Sequence, residues 1–492
     1  MLENTKTSVD WDEFASSDVQ PTYTFGTSGL SDIRAWVGVS DCAGCGGLKT
    51  QRFRLANLDP GDTYTLVIKP AHVSSAASFY ARVSAGTASI SRGASASFSP
   101  GYQDPSSLWT IRFTPQTSDV TIEVGGNSTS GANYLYFDAI LTDIFKSQAY
   151  IGTFAQTAIN NLGPDLNSVV QDGNATYSSY YLDAFVTLYE KTKDVSWLKQ
   201  LVPYADAQLA QRDSVTGKRD YRGRLAPAWQ EKSGYVWVGT TGEVFEPMVR
   251  FAADVQADAS LQSQTVNGQT LEHAAQVYVT AFQDAITYHH EDWHLFDANN
   301  GTFYYANDIP VAGGDALAGQ PVAQNLTAAF MSALLYLSQF DAARNYPTEA
   351  AAYRDQVRQF ANYLQSQVLT VQGSGSDAYY LWHYSTYYPQ IDDIGHSNFV
   401  TLFMYRAYKA GIVFGQSDMQ KLANTYNNFL GGDGNVRGDL IDTSTLAGLS
   451  HSIFYWHLVA PFRDDMLGKD LLALHIAHPY YLPLDTISIA TR

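Results

Sequence analysis

Cysteine is nearly absent from this chain of 492 residues, which contains only Cys42 and Cys45. One CxxC pair is half of a four-cysteine zinc site, and no second pair is present to complete it. We therefore interpret the pair as a local disulfide or as two free thiols in a glycine-rich loop. The cysteine content gives no support to a zinc site or to a disulfide framework.

Basic residues are also scarce, since 30 lysines and arginines stand against 48 aspartates and glutamates, a net charge of −18. A nucleic-acid-binding protein needs a basic surface that contacts phosphates, so the composition excludes this class. Apolar runs of about 18 residues are missing as well, and we expect no contact with a membrane. The first residues show no signal-peptide pattern, but a mature secreted protein with an added methionine would look the same. We expect an extracellular protein.

Apolar residues make up 45% of the chain and aromatic residues 13%, enough for a large core. The length exceeds one ordinary domain of about 100–200 residues. Short β-rich runs separated by Gly, Ser, Pro and Asp fill residues 1–147, and this rhythm favours a β-sandwich. Residues 148–492 have a helical period, with Phe245, Met248 and Val249 on one face. We predict a multidomain β plus α protein: a sandwich followed by an (α/α) toroid, a barrel of helical hairpins.

Two segments of the first domain, 55–66 and 134–141, resemble strands and loops of jelly-roll carbohydrate-binding modules. The resemblance implies that the domain is a jelly roll that binds sugar, while a scaffold role is left open. The resemblance allows one cofactor, a structural calcium ion, but the sequence contains no Asp-rich loop of the kind that binds calcium. We expect no other cofactor and no catalytic metal.

Polar and aromatic side chains cluster where the predicted helices of the second domain begin. In a toroid of hairpins, the starts of the inner helices converge on one end of the barrel and make a cleft, and we expect the function there. The candidate residues in these segments are Asn174, Tyr180, Glu243, Asn325, Trp382, His383, Tyr384, His396, Arg437, His451 and Tyr455.

The order of these residues, from Asn325 through Trp382–Tyr384 to Tyr455, resembles that of polysaccharide lyases with an (α/α) toroid, of the glucuronan- and alginate-lyase type. The resemblance implies that the chain cleaves an anionic, uronate-containing polysaccharide by β-elimination. Asn325 and His396 would neutralise the uronate carboxylate, as an oxyanion hole does. Tyr455, or its competitor His451 one helical turn earlier, would move the proton.

The remaining candidates are assigned to substrate binding: Trp382, His383, Tyr384, Arg437, Asn174, Tyr180 and Glu243. Simpler structural roles compete with each assignment. Asn325 also fits the first turn of a helix, and Tyr455 lies in an apolar run that favours core packing. The Asp392-Asp393 pair either stabilises a helix start or orients His396.

A rival interpretation is an inverting glycoside hydrolase on the same fold, which needs two carboxyl groups about 6.5–9.5 Å apart. Glu243, Glu246, Asp183 and Asp393 are the candidates. The net charge of −18 favours this alternative, because it repels a polyuronate. The densest basic cluster, at 219–224, would have to hold such a polyanion. A C5-epimerase and a non-catalytic polysaccharide-binding protein are further alternatives.

Overall fold

The computed structural model describes residues 23–24, 37–39, 48–55, 58–73, 77–92, 109–128, 135–142, 175–311, 314–430, 438–440, 455–463 and 466. Several sequence predictions lie outside these ranges, namely Cys42, Cys45, the helix at 152–162, Asn174, Arg437 and His451. Within these ranges, no helix combines the length and the apolar character that a membrane crossing requires.

Nine strands lie before residue 143 and pair into two sheets. They are β1 (Tyr23–Thr24), β2 (Val37–Val39), β3 (Leu48–Leu55), β4 (Tyr64–Val73), β5 (Ala77–Val83), β6 (Gly86–Arg92), β7 (Trp109–Pro115), β8 (Val120–Ser128) and β9 (Leu135–Thr142). One sheet has the order β1-β3-β8-β5 and the other β2-β9-β4-β7-β6. All pairs except the parallel β1 and β3 are antiparallel.

Alternation of buried side chains explains these strands locally. Ile111 and Phe113 are buried two residues apart in β7, as are Val120 and Ile122 in β8, which is the period of a strand with one buried face. The strands predicted at 63–69, 78–83 and 108–114 are confirmed. The sequence did not predict β6, because its serines and alanines carry little β-propensity. The jelly-roll sandwich and the boundary at residue 147 stay predictions.

Eight α-helices of 14 residues or more lie in the described part of the chain after residue 174. They are α1 (Ala175–Thr192), α2 (Val195–Ala210), α3 (Val238–Ala257), α4 (Leu271–His289), α5 (Gln324–Ala343), α6 (Pro347–Tyr363), α7 (Ile394–Lys409) and α8 (Gln416–Phe429). The sequence period predicted all eight, with ends that differ by a few residues. This part of the chain is therefore helix-rich.

The eight helices form four hairpins arranged in two layers. Helices α1, α3, α5 and α7 contact one another in succession, and each also contacts the helix that follows it. In α3 and in α5, 15 of the 20 residues are buried, whereas only six of 17 are buried in α6. A helix that is buried on nearly every side belongs to an inner layer. Because an outer helix separates successive inner helices, the inner helices run in the same direction.

Glycine allows α3 and α5 to approach closely. A Cβ atom added to Gly239 would meet the side chain and Cα of Leu326, and one added to Gly242 would meet the backbone of Ala329 and Phe330. The contact between α3 and α5 is the most extensive between any two described helices. The glycines therefore set the distance between the two central helices of the inner layer.

Short hairpins of strands connect the helical layers. Strands β10 (Trp293–Asp297) and β11 (Asn300–Phe303) pair before α5, and β12 (His383–Ser385) and β13 (Tyr388–Ile391) pair before α7. The prediction of a helix at 448–460 is wrong for residues 455–460, the part that the structure describes. Two 3₁₀ turns, Trp456–Leu458 and Ala460–Phe462, replace it. Pro461 lacks the N–H group that a continuous helix would use there.

We expect Gly242→Ala to lower the free energy of unfolding by about 1–3 kcal/mol, because the new methyl group would force α3 away from α5. Urea denaturation followed by far-ultraviolet circular dichroism measures the change. Gly415→Ala is the matched control, since its Cβ would meet only Asp418 Oδ2 at 3.9 Å and its φ of −116° suits any residue. An equal loss in both variants would contradict the close-approach explanation.

Candidate active site

The starts of the inner helices α3, α5 and α7 lie at the same end of the inner layer. Aromatic rings form a rim there. The Trp237 ring lies 5.9 Å from that of Tyr305, and Tyr305 lies 6.2 Å from Tyr387. Tyr384, in the same hairpin as Tyr387, packs edge-on against the His396 ring at 4.9 Å. We call this end of the inner layer the mouth.

Asp393 and His396 form the charged part of the mouth. Asp393 is the N-cap of α7 and accepts the backbone N–H of His396 at 2.9 Å, while its other oxygen contacts His396 Nδ1. Both side chains are about half exposed, at 46% and 49%. The bond to Asp393 raises the pKa of His396. Burial raises the pKa of Asp393, but the bonds from His396 outweigh it and the pKa is lowered. Asp393 therefore both caps the helix and orients the imidazole, so the two interpretations drawn from the sequence hold together.

Glu243 faces this pair from the second turn of α3. Burial raises its pKa to about 8, and the charge of His396 opposes the shift, which means that the two groups interact. The residue is partly exposed, yet its Oε2 is buried and has no hydrogen-bond partner among the described residues. Glu243 is consequently a protonated carboxylic acid at neutral pH.

Asp392 and Trp382 lie behind the mouth. Trp382 has no solvent exposure, and its Nε1 donates to Asp392 Oδ2 at 2.8 Å. This placement corrects the prediction that Trp382 binds substrate, because a ring sealed in the core cannot stack on a sugar. Burial and the nearby charge of Asp393 raise the pKa of Asp392 to about 7. Asp392 directly precedes the N-cap of α7, so its bond to the buried Trp382 ring holds the start of that helix in place.

Three donor groups of the mouth are close enough to share a cation. Oxygen or nitrogen atoms of Asp392, Asp393 and His396 lie within 4.8 Å of one another, the one such group found in the ranges that the structure describes. The ion pair between Asp393 and His396 satisfies two of these donors without a metal. The arrangement therefore does not require a cofactor.

Tyr455 and Asn325 are not arranged as the lyase interpretation requires. Tyr455 lies deeper in the inner layer, with its hydroxyl 3.5 Å from Asp183 Oδ2. Burial and the charge of Asp183 raise its pKa well above the usual value, the opposite of what a tyrosine base needs. Asn325 lies in the first turn of α5 and is only 3% exposed. Its side-chain oxygen is buried and has no hydrogen-bond partner among the described residues, and so little exposure limits contact with a substrate carboxylate.

The other candidates fall into two places. His383 is exposed and Tyr384 half-buried in the hairpin beside His396. Tyr180 lies in the second place, a cavity that it lines together with Asp183. Its ring lies 6.5 Å from that of Phe399. The structure therefore brings together Glu243, Tyr384 and His396, and Tyr455 lies between them and Tyr180, because it lines one small pocket with Glu243 and a larger cavity with Tyr180.

Sequence reasoning missed a buried ion network on the axis of the inner layer. Arg250 Nη1 binds Asp183 Oδ1 at 2.6 Å, and Arg406 Nη1 binds Glu246 Oε1 at 2.7 Å. Tyr336 of α5 packs against both guanidinium groups, at 6.0 and 5.2 Å. Arginine on an otherwise apolar helix face was the available signal. The network gives Asp183 and Glu246 a structural role, because both lie against the buried arginines.

No protein-family model matches the chain, and no curated protein sequence matches it. Among solved structures, the chain is similar to the GH76A alpha-1,6-mannanase from Salegentibacter sp. HEL1_6, at 11% identity and a TM-score of 0.37, with coverage of 64% of this chain and 88% of that one. An inactive variant of that enzyme with alpha-1,6-mannotetrose gives 11% identity and a TM-score of 0.38, covering 64% and 87%. Another is the family 105 glycoside hydrolase of C. acetobutylicum ATCC 824, at 12% identity and a TM-score of 0.33, covering 69% and 99%. We transfer no residue role from them.

Glu243→Gln should make the protein more stable relative to wild type as the pH rises from about 5 to about 8. The carboxyl ionises at 4.5 in an unfolded chain and at about 8 when folded, so unfolding releases a proton in this window and wild-type stability falls as pH rises. Glutamine cannot ionise and avoids this loss. The difference in melting temperature between the two proteins at each pH measures the effect, and a constant difference would show that Glu243 has an ordinary pKa.

Proposed function

We propose that the chain is a glycoside hydrolase whose active site is the mouth. The observation that carries the proposal is the opposite shift of two carboxyl pKa values at one site: Glu243 is raised to about 8, whereas Asp393 is lowered. Carboxyls held in opposite protonation states are the acid and base of glycoside hydrolysis.

Glu243 acts as the general acid and Asp393 as the anionic partner. Glu243 carries a proton at neutral pH and offers it to the glycosidic oxygen as the bond breaks. Asp393 stays ionised beside His396, and its exposed side chain either activates a water molecule or stabilises positive charge at the anomeric carbon. The inverting stereochemistry that the sequence suggested stays a prediction, to be tested by the anomer of the first product.

A neutral glycan is the substrate class that the charges favour. Among the described residues of the mouth, the charged groups other than His396 are carboxylates. Two of the three arginines in the basic cluster at 219–224 are held in ion pairs: Arg222 binds Asp308 and Glu291, and Arg224 binds Asp220 and Glu291. These arginines are therefore not available as subsites for a polyuronate. The aromatic rim supplies flat faces on which sugar rings stack.

A lyase on the same site is the second candidate, and one observation favours it. The imidazole of His396 and the ring of Tyr384 lie face to edge at 4.9 Å, so a His–Tyr proton relay has a place at the mouth. In this lyase mechanism, Tyr384 takes the proton-transfer role that the sequence analysis assigned to Tyr455. The pKa of Tyr384 is raised to about 12, mainly by burial, which suits proton donation and not proton abstraction.

The surrounding architecture is proposed on the same basis. Consecutive hairpins with parallel inner helices are the repeating unit of an (α/α) toroid, and we propose that the four described hairpins belong to one. The two N-terminal sheets are compatible with a jelly-roll carbohydrate-binding module, whose sugar binding is a proposal as well. Extracellular location fits a polysaccharide substrate.

A product assay separates the two reactions. We expect new reducing ends from neutral polysaccharides such as mannan, glucan or xylan, with no ultraviolet absorbance from an unsaturated uronate. Absorbance that grows during incubation with polyglucuronate or alginate would instead establish the lyase. If neither signal develops on any polymer while binding persists, the chain is a polysaccharide-binding protein.

On a cleaved substrate, Glu243→Gln should lower kcat by about 100-fold or more, the contribution of a general acid. The wild-type rate should fall as the pH rises through about 8, where Glu243 loses its proton. Asp355→Asn serves as the control, because Asp355 is an exposed carboxylate on α6, paired with Arg358 and outside the mouth. A pH profile that is flat across this range would remove Glu243 from the acid role.

A further inference from the structure

The interior of the helical layer holds a cavity that the proposed reaction does not use. It has a volume of about 360 Å³ and lies between α1, α3, α5 and α7. Its walls include Tyr180, Asp183, Arg250, Tyr336 and Tyr405. None of the mouth residues Trp237, Glu243, Asp393 or His396 lines it. We call it the axial cavity.

The axial cavity lies toward the opposite ends of the inner helices from the mouth, where exposed Gln339 and Lys409 line it. Arg250 follows Glu243 by seven residues on α3, a rise of about 10 Å, and Arg406 follows His396 by ten residues on α7, about 15 Å. Between the two regions lies a small pocket that Glu243 and Glu246 line together with Asp183, Arg406 and Tyr455. The cavity is therefore a second compartment and not an extension of the aromatic rim.

We propose that the axial cavity binds a neutral polyhydroxylated ligand of the size of a mono- or disaccharide. Ligand pockets of about 300–1,000 Å³ combine apolar and aromatic walls with a few fixed polar groups. Here Tyr336 and Tyr405 supply ring faces, and Leu335 and Leu402 supply aliphatic contacts. The volume is too small for a polymer and sufficient for a short sugar.

Charge balance selects a neutral ligand with many hydroxyl groups. The walls carry the cations Arg250, Arg406 and Lys409 and the carboxyls Asp183 and Glu190, with Glu246 paired to Arg406 directly beside them. An anion would be repelled by the carboxyls and a cation by the guanidinium and ammonium groups. A sugar hydroxyl can donate to a carboxylate and accept from an arginine, so it matches both kinds of group without adding charge.

Isothermal titration tests the proposal, with the full chain in the cell and glucose, mannose and their 1,4- and 1,6-linked disaccharides as probes. At least one probe should bind saturably. Gln339→Trp places a large side chain at the cavity wall and should weaken that binding about tenfold or more. Gln339 is exposed on α5, so the fold should tolerate the change. Ala342→Trp, also exposed on α5 but outside the cavity, is the matched control and should bind as wild type does.

Two further variants keep the test decisive. Tyr405→Ala removes a wall ring without blocking the space and should also weaken binding, which covers the case in which Gln339→Trp fails to fold. Trp237→Ala at the mouth should leave it unchanged. Absence of saturable binding by every probe overturns the proposal. Binding lost in Trp237→Ala and kept in Gln339→Trp and Tyr405→Ala also overturns it, because the ligand then occupies the mouth. Neither result depends on whether the chain hydrolyses glycans.

Discussion

The pairing of Arg250 and Arg406 with Asp183 and Glu246 is the constraint on which the helical part depends. The guanidinium groups come from α3 and α7, and Asp183 belongs to α1, so the ion pairs connect helices that are distant in sequence. Removing one partner would leave a buried charge unpaired, at a cost of about 3–5 kcal/mol, whereas an apolar replacement of the whole group is often neutral. The network therefore constrains how α1, α3 and α7 meet, and its Asp183, Arg250 and Arg406 line the axial cavity.

The same principle, burial of a charge only where a partner exists, divides the carboxyls into two groups. Asp183 and Glu246 lie against arginines, and for Glu246 these cations oppose the rise in pKa that burial causes. Glu243, one turn before Glu246 on the same helix, has no cation in direct contact and responds to burial by keeping its proton. Asp393 reaches the solvent and keeps its charge with help from His396. A distance of one helical turn thus separates a structural glutamate from a candidate catalytic acid.

The sequence predicted the helices well because their apolar faces repeat with a clear period. It also identified His396 and its orienting aspartate, since an Asp three residues before a His at a helix start is a local arrangement. It failed for Trp382, whose aromatic neighbours suggested a sugar platform, because period-2 strands alternate inward and outward and only the fold decides which side is buried. It failed for Tyr455 for a related reason. Its partner Asp183 is 272 residues away, and no local pattern predicts a contact at that separation.

The acidic composition now has a local explanation at the candidate site. A net charge of −18 opposed the polyuronate substrate from the start, and the basic residues that might have relieved the conflict are occupied by Asp220, Glu291 and Asp308. The net charge of the chain and the ion pairs of Arg222 and Arg224 therefore both favour a neutral ligand. A neutral glycan experiences no net repulsion from the surface, and its hydroxyl groups can use acids and bases alike. In the proposed sites, donor–acceptor pairs and aromatic faces would bind a sugar without the basic groove that a polyanion requires.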